Sequence, residues 1–313
     1  MAESDVIRTR RLTRYFGHKA VVEELDFAVP RGQIVGLLGL NGAGKTTTIR
    51  MLLGLLEPTR GSCEVLGVDS RCLTPETRAR IGHTVEGHFL YPWMRVRECE
   101  RFGRETHPRW DGGFFERSVR RFGIDTEAKV AWLSRGQRAG VSLASTLASN
   151  PELLILDDPA LGLDPVSRRA LNETILEFCQ SGQRSVLLSS HLLDDVERVA
   201  DRVALMVDGT MVVNTTIDHF RARIAAWTID APDSPTAAGN LSMPVPIPRI
   251  VNCRPLGQRW QVTVVDPDED TRAALSAIES RAMEPADVTF EDAVLAYLSR
   301  SRVYHSFYTE DAS

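Results

Sequence analysis

Residues 34–46 read Ile34-Val35-Gly36-Leu37-Leu38-Gly39-Leu40-Asn41-Gly42-Ala43-Gly44-Lys45-Thr46. The first five are a short continuous apolar run, the pattern of a strand buried on both faces. The next eight fit G-x-x-x-x-G-K-S/T. A helix is expected to open at about Gly44 and run to Leu55, ended by Pro58 and Gly61. A glycine-rich turn between strand and helix is the context in which this motif holds phosphate. Successive backbone N–H groups curl around phosphate oxygens, and the helix N-terminus adds its partial positive charge. Lys45 would reach the terminal phosphates, and the Thr46 hydroxyl would ligate Mg²⁺. Lysine stands at only Lys19, Lys45 and Lys129 among 37 Lys and Arg residues, so its retention at this turn is informative.

Outward from this stretch, residues 6–29 alternate apolar and polar in places and suggest antiparallel strands. Residues 96–149 read as mostly helical. Leu153–Asp157 and Ser185–Ser189 are again buried-strand runs, separated by a helical pattern from about Val166 to Gln180. Val203–Val207 and Thr210–Asn214, joined at Asp208-Gly209, read as a hairpin. Strands alternating with helices imply a largely parallel sheet with helices on its faces, an α/β architecture. A metal bound at the phosphate turn needs an acidic partner, and Leu153–Asp157 ends in one. Asp157 would hold Mg²⁺ through water, and Asp158 would orient or polarise the attacking water.

Composition narrows the function classes. The 313 residues suggest about two domains. A hydrophobic share of 43% with 25% charged residues excludes a disordered, collagenous or disulfide-framework chain. A net charge of −5 gives no global basic field for nucleic acid. No apolar run reaches the length of a membrane span, and the acidic N-terminus has no secretory pattern. The five cysteines are scattered and read as free thiols in a reducing compartment. Between Pro232 and Pro255 lie six of the sixteen prolines, the mark of a linker or long irregular connection. Beyond it, alternation around Trp260, Val262 and Val264 gives a strand, and Thr271–Met283 a helix. Thr289, with Asp292 three residues on, is placed to cap a last helix carrying Phe290, Val294 and Leu298. A small α/β appendage is expected over 222–300, followed by a disordered tail from 304 to 313.

With these motifs in order, residues 5–220 resemble the ATP-binding subunit of an ABC transporter, with a helical subdomain at about 87–135. The phosphate loop resembles the family's Walker A, which implies that Gly39, Asn41, Gly42, Ala43, Gly44, Lys45, Thr46 and Thr47 hold the nucleotide. Leu154–Asp158 is similar to Walker B. Leu133-Ser134-Arg135-Gly136-Gln137 resembles the LSGGQ signature, which implies nucleotide contacts from Ser134, Gly136 and Gln137. Asp164, in Gly162-Leu163-Asp164, resembles the D-loop, and His191 the switch histidine. Phe16, with Tyr15 as its substitute, is similar to the aromatic that stacks on adenine. The resemblance implies the P-loop fold of this family with an N-terminal antiparallel β subdomain. It also implies ATP and Mg²⁺ as ligands, and two cassettes stacked head to tail, as homodimer or heterodimer. ATP would lie between the Walker A of one and the signature of the other. A separate transmembrane permease would hold the subunit on the inner face of the cell membrane. No nucleic acid is expected as partner.

Three positions depart from the family pattern. Asp158 stands where the family has a catalytic glutamate, one methylene longer. Glu86 stands at the Q-loop glutamine, where a carboxylate can still contact Mg²⁺ but cannot donate as an amide does. Arg135 replaces the first signature glycine, either pointing away from ATP or adding a cation near the phosphates. Some drug- and lantibiotic-resistance cassettes look similar at Glu86. The segment Val288–Asp292 resembles one on export-type cassettes, so export is the expected direction. Two alternatives stay open: a non-transport soluble ABC ATPase, and a slow-hydrolysing, nucleotide-gated scaffold.

Overall fold

The structure is a computed structural model that describes residues 5–84, 90–180, 183–230, 250–256, 259–271, 273 and 284–307. The chain divides after Asn214 into two units. In chain order the elements as far as that division are β1 (Ile7–Phe16), β2 (Lys19–Val29), β3 (Ile34–Leu38), α1 (Lys45–Leu52), β4 (Arg60–Val65), β5 (Val68–Asp69), α2 (Pro75–Arg78), β6 (Ile81–Thr84), α3 (Val96–Thr106), α4 (Gly112–Arg121), α5 (Arg135–Ala148), β7 (Leu153–Asp157), α6 (Pro165–Cys179), β8 (Ser185–Ser190), α7 (Leu193–Val199), β9 (Arg202–Val207) and β10 (Thr210–Thr216).

Apolar runs buried on both faces make the central sheet. Every residue of β3, β7 and β8 is buried, as expected where helices cover both sides. The sheet has six strands in the order β10-β9-β3-β8-β7-β6. β9, β3, β8, β7 and β6 run parallel. Parallel strands put the C-terminal ends of β3, β7 and β8 at one edge, where Gly39, Asp158 and His191 follow them. The β9–β10 turn is Asp208-Gly209, both with left-handed φ of 46° and 84°, the geometry that suits the twist of a two-residue hairpin.

A second, antiparallel sheet, β2-β1-β4-β5, encloses the other side of α1. Alternation in β1 buries Ile7 and Thr9 while Arg8 and Arg10 face out. One apolar cluster joins this sheet to the central one, through Ile7, Leu12, Val22, Leu37, Ile49 and Leu52. A separate cluster, including Val96, Phe115, Val119, Leu133 and Val141, holds α3, α4 and α5 together as a helical layer.

α1 is shorter than the expected span to Leu55. Gly54 takes φ 65° just past its end, and the chain leaves the helix there, upstream of Pro58. α7 approaches β3 at Gly36 so closely that a β-carbon there would lie 2.2 Å from Val196 Cγ1. Gly36→Ala is therefore expected to destabilise this unit by about 1–3 kcal/mol, as overpacking does. Urea denaturation checks this, and an unchanged midpoint would contradict so tight a contact.

The second unit contains α8 (Ile217–Ala222), β11 (Ile224–Asp230), β12 (Ile250–Leu256), β13 (Arg259–Val265), β14 (Glu284–Ala286) and α9 (Phe290–Phe307). Its strands pair antiparallel in the order β12-β13-β11-β14. Phe220 of α8 packs on Phe290 and Tyr297 of α9, with ring centroids 5.7 and 5.5 Å away. Thr289 Oγ1 accepts from the Asp292 amide at 3.0 Å, which caps α9 as the sequence suggests. α9 continues to Phe307, past Tyr304, where the tail was expected to start. Most of the expected helix Thr271–Met283 and of the proline-rich stretch lies outside the described residues.

Candidate nucleotide site

The turn between β3 and α1 has a conformation that few side chains permit. Gly42 and Gly44 take φ of 86° and 99°, and a β-carbon on Gly44 would lie 2.6 Å from the Val21 carbonyl. Lys45 opens α1 and folds back, its Nζ donating to the Gly39 carbonyl at 2.7 Å. The side chain is buried. Burial lowers the pKa of the ammonium, while the charges of Asp158 and then Asp157 pull it back up. The lysine thus spans the mouth of the turn as a fixed cation beside two carboxylates.

The ends of β7 and β8 supply the acidic side. Asp157 is buried, and its Oδ1 accepts from Ser189 Oγ at 2.7 Å. The Asp158 amide donates to the same Ser189 Oγ at 3.1 Å. Ser189 therefore ties the two acidic residues to the neighbouring strand. Asp158 takes φ 45°, a left-handed conformation that Asp tolerates better than most residues. Its Oδ1 meets His191 Nδ1 at 2.8 Å and accepts from the His191 amide at 3.2 Å. With Asp158 ionised, Nδ1–H is the donor of that ring contact.

One cleft of about 370 Å³ collects the phosphate turn, Asp158 and His191. Asn41, Gly42, Ala43, Gly44, Lys45, Thr46 and Thr47 line one side, and Asp158, Leu161 and His191 the other. The structure thus brings the expected phosphate loop, Asp158 and His191 together. Ser189 is a site residue that sequence reasoning missed. Its only signal is a hydroxyl that follows the apolar run Val186–Leu188, one residue before the end of β8.

Other expected residues do not line this cleft. Phe16 ends β1 half-exposed, with the Arg14 guanidinium 4.9 Å from its ring centroid. Ser134 and Gln137 form a reciprocal cap on α5, each side chain accepting from the other's amide at 3.1 Å. Gly136 faces α6, where a β-carbon would lie 2.1 Å from Ser167 Oγ. Asp164 caps α6 through the Val166 and Ser167 amides, at 2.9 and 3.0 Å. Its pKa lies below the usual carboxylate range, chiefly through the Ser167 hydroxyl bond. Glu86 lies outside the described residues.

The ABC transporter family profile matches residues 22–161. The bacitracin transport ATP-binding protein BcrA of Bacillus licheniformis is 34% identical over 222 residues, 70% of this chain and 72% of that relative. The chain belongs to the ABC transporter ATP-binding family. The probable multidrug ABC transporter ATP-binding protein YbhF of Escherichia coli (strain K12) is 34% identical over 225 residues, which are 70% of this chain but 39% of that relative. A solved ATP-binding subunit of an ABC transporter superposes with a TM-score of 0.61 at 30% identity, covering 69% of this chain and 92% of that one. The cassette is an ATP-binding ATPase subunit with the P-loop fold of that family. Among the described residues, no helix is long and apolar enough to cross a membrane.

Proposed function

We propose that this cassette hydrolyses ATP in the cleft between the phosphate loop and Asp158 to drive a separate membrane permease, in the export direction, from the cytoplasmic face. The observation that carries this reading is the convergence of Lys45, Asp158 and His191 on one cleft. Backbone amides from Asn41 to Thr47 cradle the phosphates. Lys45 offsets the charge of the terminal ones. Asp158 positions the attacking water, and His191 holds the γ-phosphate. Phe16 stacks on the adenine.

Thr46 and Asp157 fit Mg²⁺, with a contribution from Glu86. They are hard oxygen donors, and no group of three or more His, Cys, Asp or Glu forms a full cage among the described residues. Mg²⁺ accepts such a partial set, keeping waters and taking phosphate oxygens. Bound there, it would offset the charge that builds on the phosphates.

Ser134, Gly136, Gln137 and Asp164 serve the nucleotide of a second cassette. Ser134 and Asp164 are exposed and none of the four lines the chain's own cleft, which is what a head-to-tail pair requires. ATP then bridges the two copies, and hydrolysis releases them. Export is supported by relatives bearing bacitracin transport and probable multidrug transporter names.

A groove of about 440 Å³ beside the helical layer supports the permease. Leu55, Ile81, Tyr91, Met94, Phe102 and Trp110 are among its lining residues. Trp93, 69% exposed, packs on Tyr91 with ring centroids 5.0 Å apart, the aromatic character of an interface anchor. The full chain, affinity-purified from native membranes in mild detergent, is expected to retain a multi-span protein that stimulates its ATPase. Tyr91→Ala with Trp93→Ala should lower that retention by more than tenfold while nucleotide affinity holds. Recovery of RNA and no membrane protein would favour the non-transport alternative.

A further inference from the structure

Arg135 is exposed at the first position of α5, between Ser134 and Gly136. Its guanidinium lies in the space that a side chain on Gly162 would need. A β-carbon built on Gly162 would fall 2.4 Å from Arg135 Nη1 and 2.5 Å from Cζ. Gly162 takes φ 70°, so the position already favours glycine. The adjacent Gly136 meets Asp164 and Ser167 in the same way. The first turn of α5 therefore grips the segment 158–164 at two points. One of them exists only because an arginine stands where the signature has a glycine.

Two overlapping turns tie that segment together. The Leu161 amide donates to the Asp158 carbonyl at 3.1 Å, and the Leu163 amide to the Ala160 carbonyl at 3.1 Å. These turns span Gly162 and join it to Asp158.

We propose that Arg135 is a positioning residue: by packing flat on Gly162 it couples the first turn of α5 to the loop that carries Asp158, and so makes the two ATP sites of the pair cooperative. The proposal rests on the head-to-tail pairing above, in which one chain's Ser134 serves one nucleotide and its Asp158 the other. Nucleotide arriving at Ser134 then biases the loop beside the second site, and the reverse holds equally.

The test is ATP hydrolysis against ATP concentration for wild type, Arg135→Gly and Arg135→Lys, with the mass of each in ATP and in ADP. Wild type is expected to show a Hill coefficient above about 1.5, within the limit set by two sites. Arg135→Gly should fall to about 1 while still pairing in ATP. Arg135→Lys should fall as well, because an ammonium keeps the charge but has no plane to lay on Gly162. A wild-type coefficient of about 1, or either variant matching a cooperative wild type, overturns the proposal. Absence of an ATP-dependent pair in wild type refutes the pairing itself, and the proposal with it.

Discussion

Lys45→Ala is expected to lower ATP hydrolysis by about 10²–10³-fold, the usual cost of removing one preorganised charge from a developing anion. The structure explains why no neighbour substitutes for it. Lys45 is buried at the mouth of the phosphate turn and held by the Gly39 carbonyl at 2.7 Å. Among the described residues, Lys45 is the one lysine or arginine on the lining of that cleft, which Asp158 makes acidic on the far side. Without the ammonium, the phosphates would face Asp158 unshielded, so nucleotide affinity should fall with turnover. Titration with a fluorescent ATP analogue and a phosphate-release assay check both. A variant that keeps wild-type turnover would displace the site from this cleft.

Asp158→Asn is expected to reduce turnover by at least about 10²-fold, the low end of what a positioned acid or base contributes. An asparagine oxygen can still accept from His191 at both of its donors, so the loop keeps its place and only the charge is lost. Asp158→Glu should act in the opposite direction, raising turnover up to about tenfold. The wild-type carboxylate is short and drawn onto the His191 amide and ring, at 3.2 and 2.8 Å. A glutamate carries its oxygens about 1 Å further into the cleft, a distance that matters for attack geometry. Some of that gain is lost because Glu is less at ease than Asp at a φ of 45°. If Glu leaves turnover unchanged, the aspartate is not detuned.

Much of this site is legible in the sequence because its chemistry is local. The phosphate loop, its flanking strand and the helix it opens are contiguous, and each residue's role follows from its neighbours. The alternation of buried strands and helices likewise gives the parallel sheet, and Asp208-Gly209 its hairpin. What is not legible is pairing across strands. Asp158 and His191 meet because β7 and β8 are neighbours in the sheet, and nothing between the two residues in the chain encodes that order. Ser189 is invisible for the same reason, its hydroxyl acquiring a purpose only from the strand beside it. Arg135 shows the limit most clearly: as a letter it leaves two readings open, and only the fold lays it on Gly162. Gly54 is a local feature misread, because the more conspicuous Pro58 lies four residues on.

The central claim is that ATP is hydrolysed in this cleft through Asp158. The most direct measurement is phosphate release from ATP by wild type and Asp158→Asn side by side, with Mg²⁺ and with the permease if it copurifies. The account predicts slow but measurable release by wild type and release at least about 10²-fold lower by the asparagine variant. Equal release from the two proteins would contradict it.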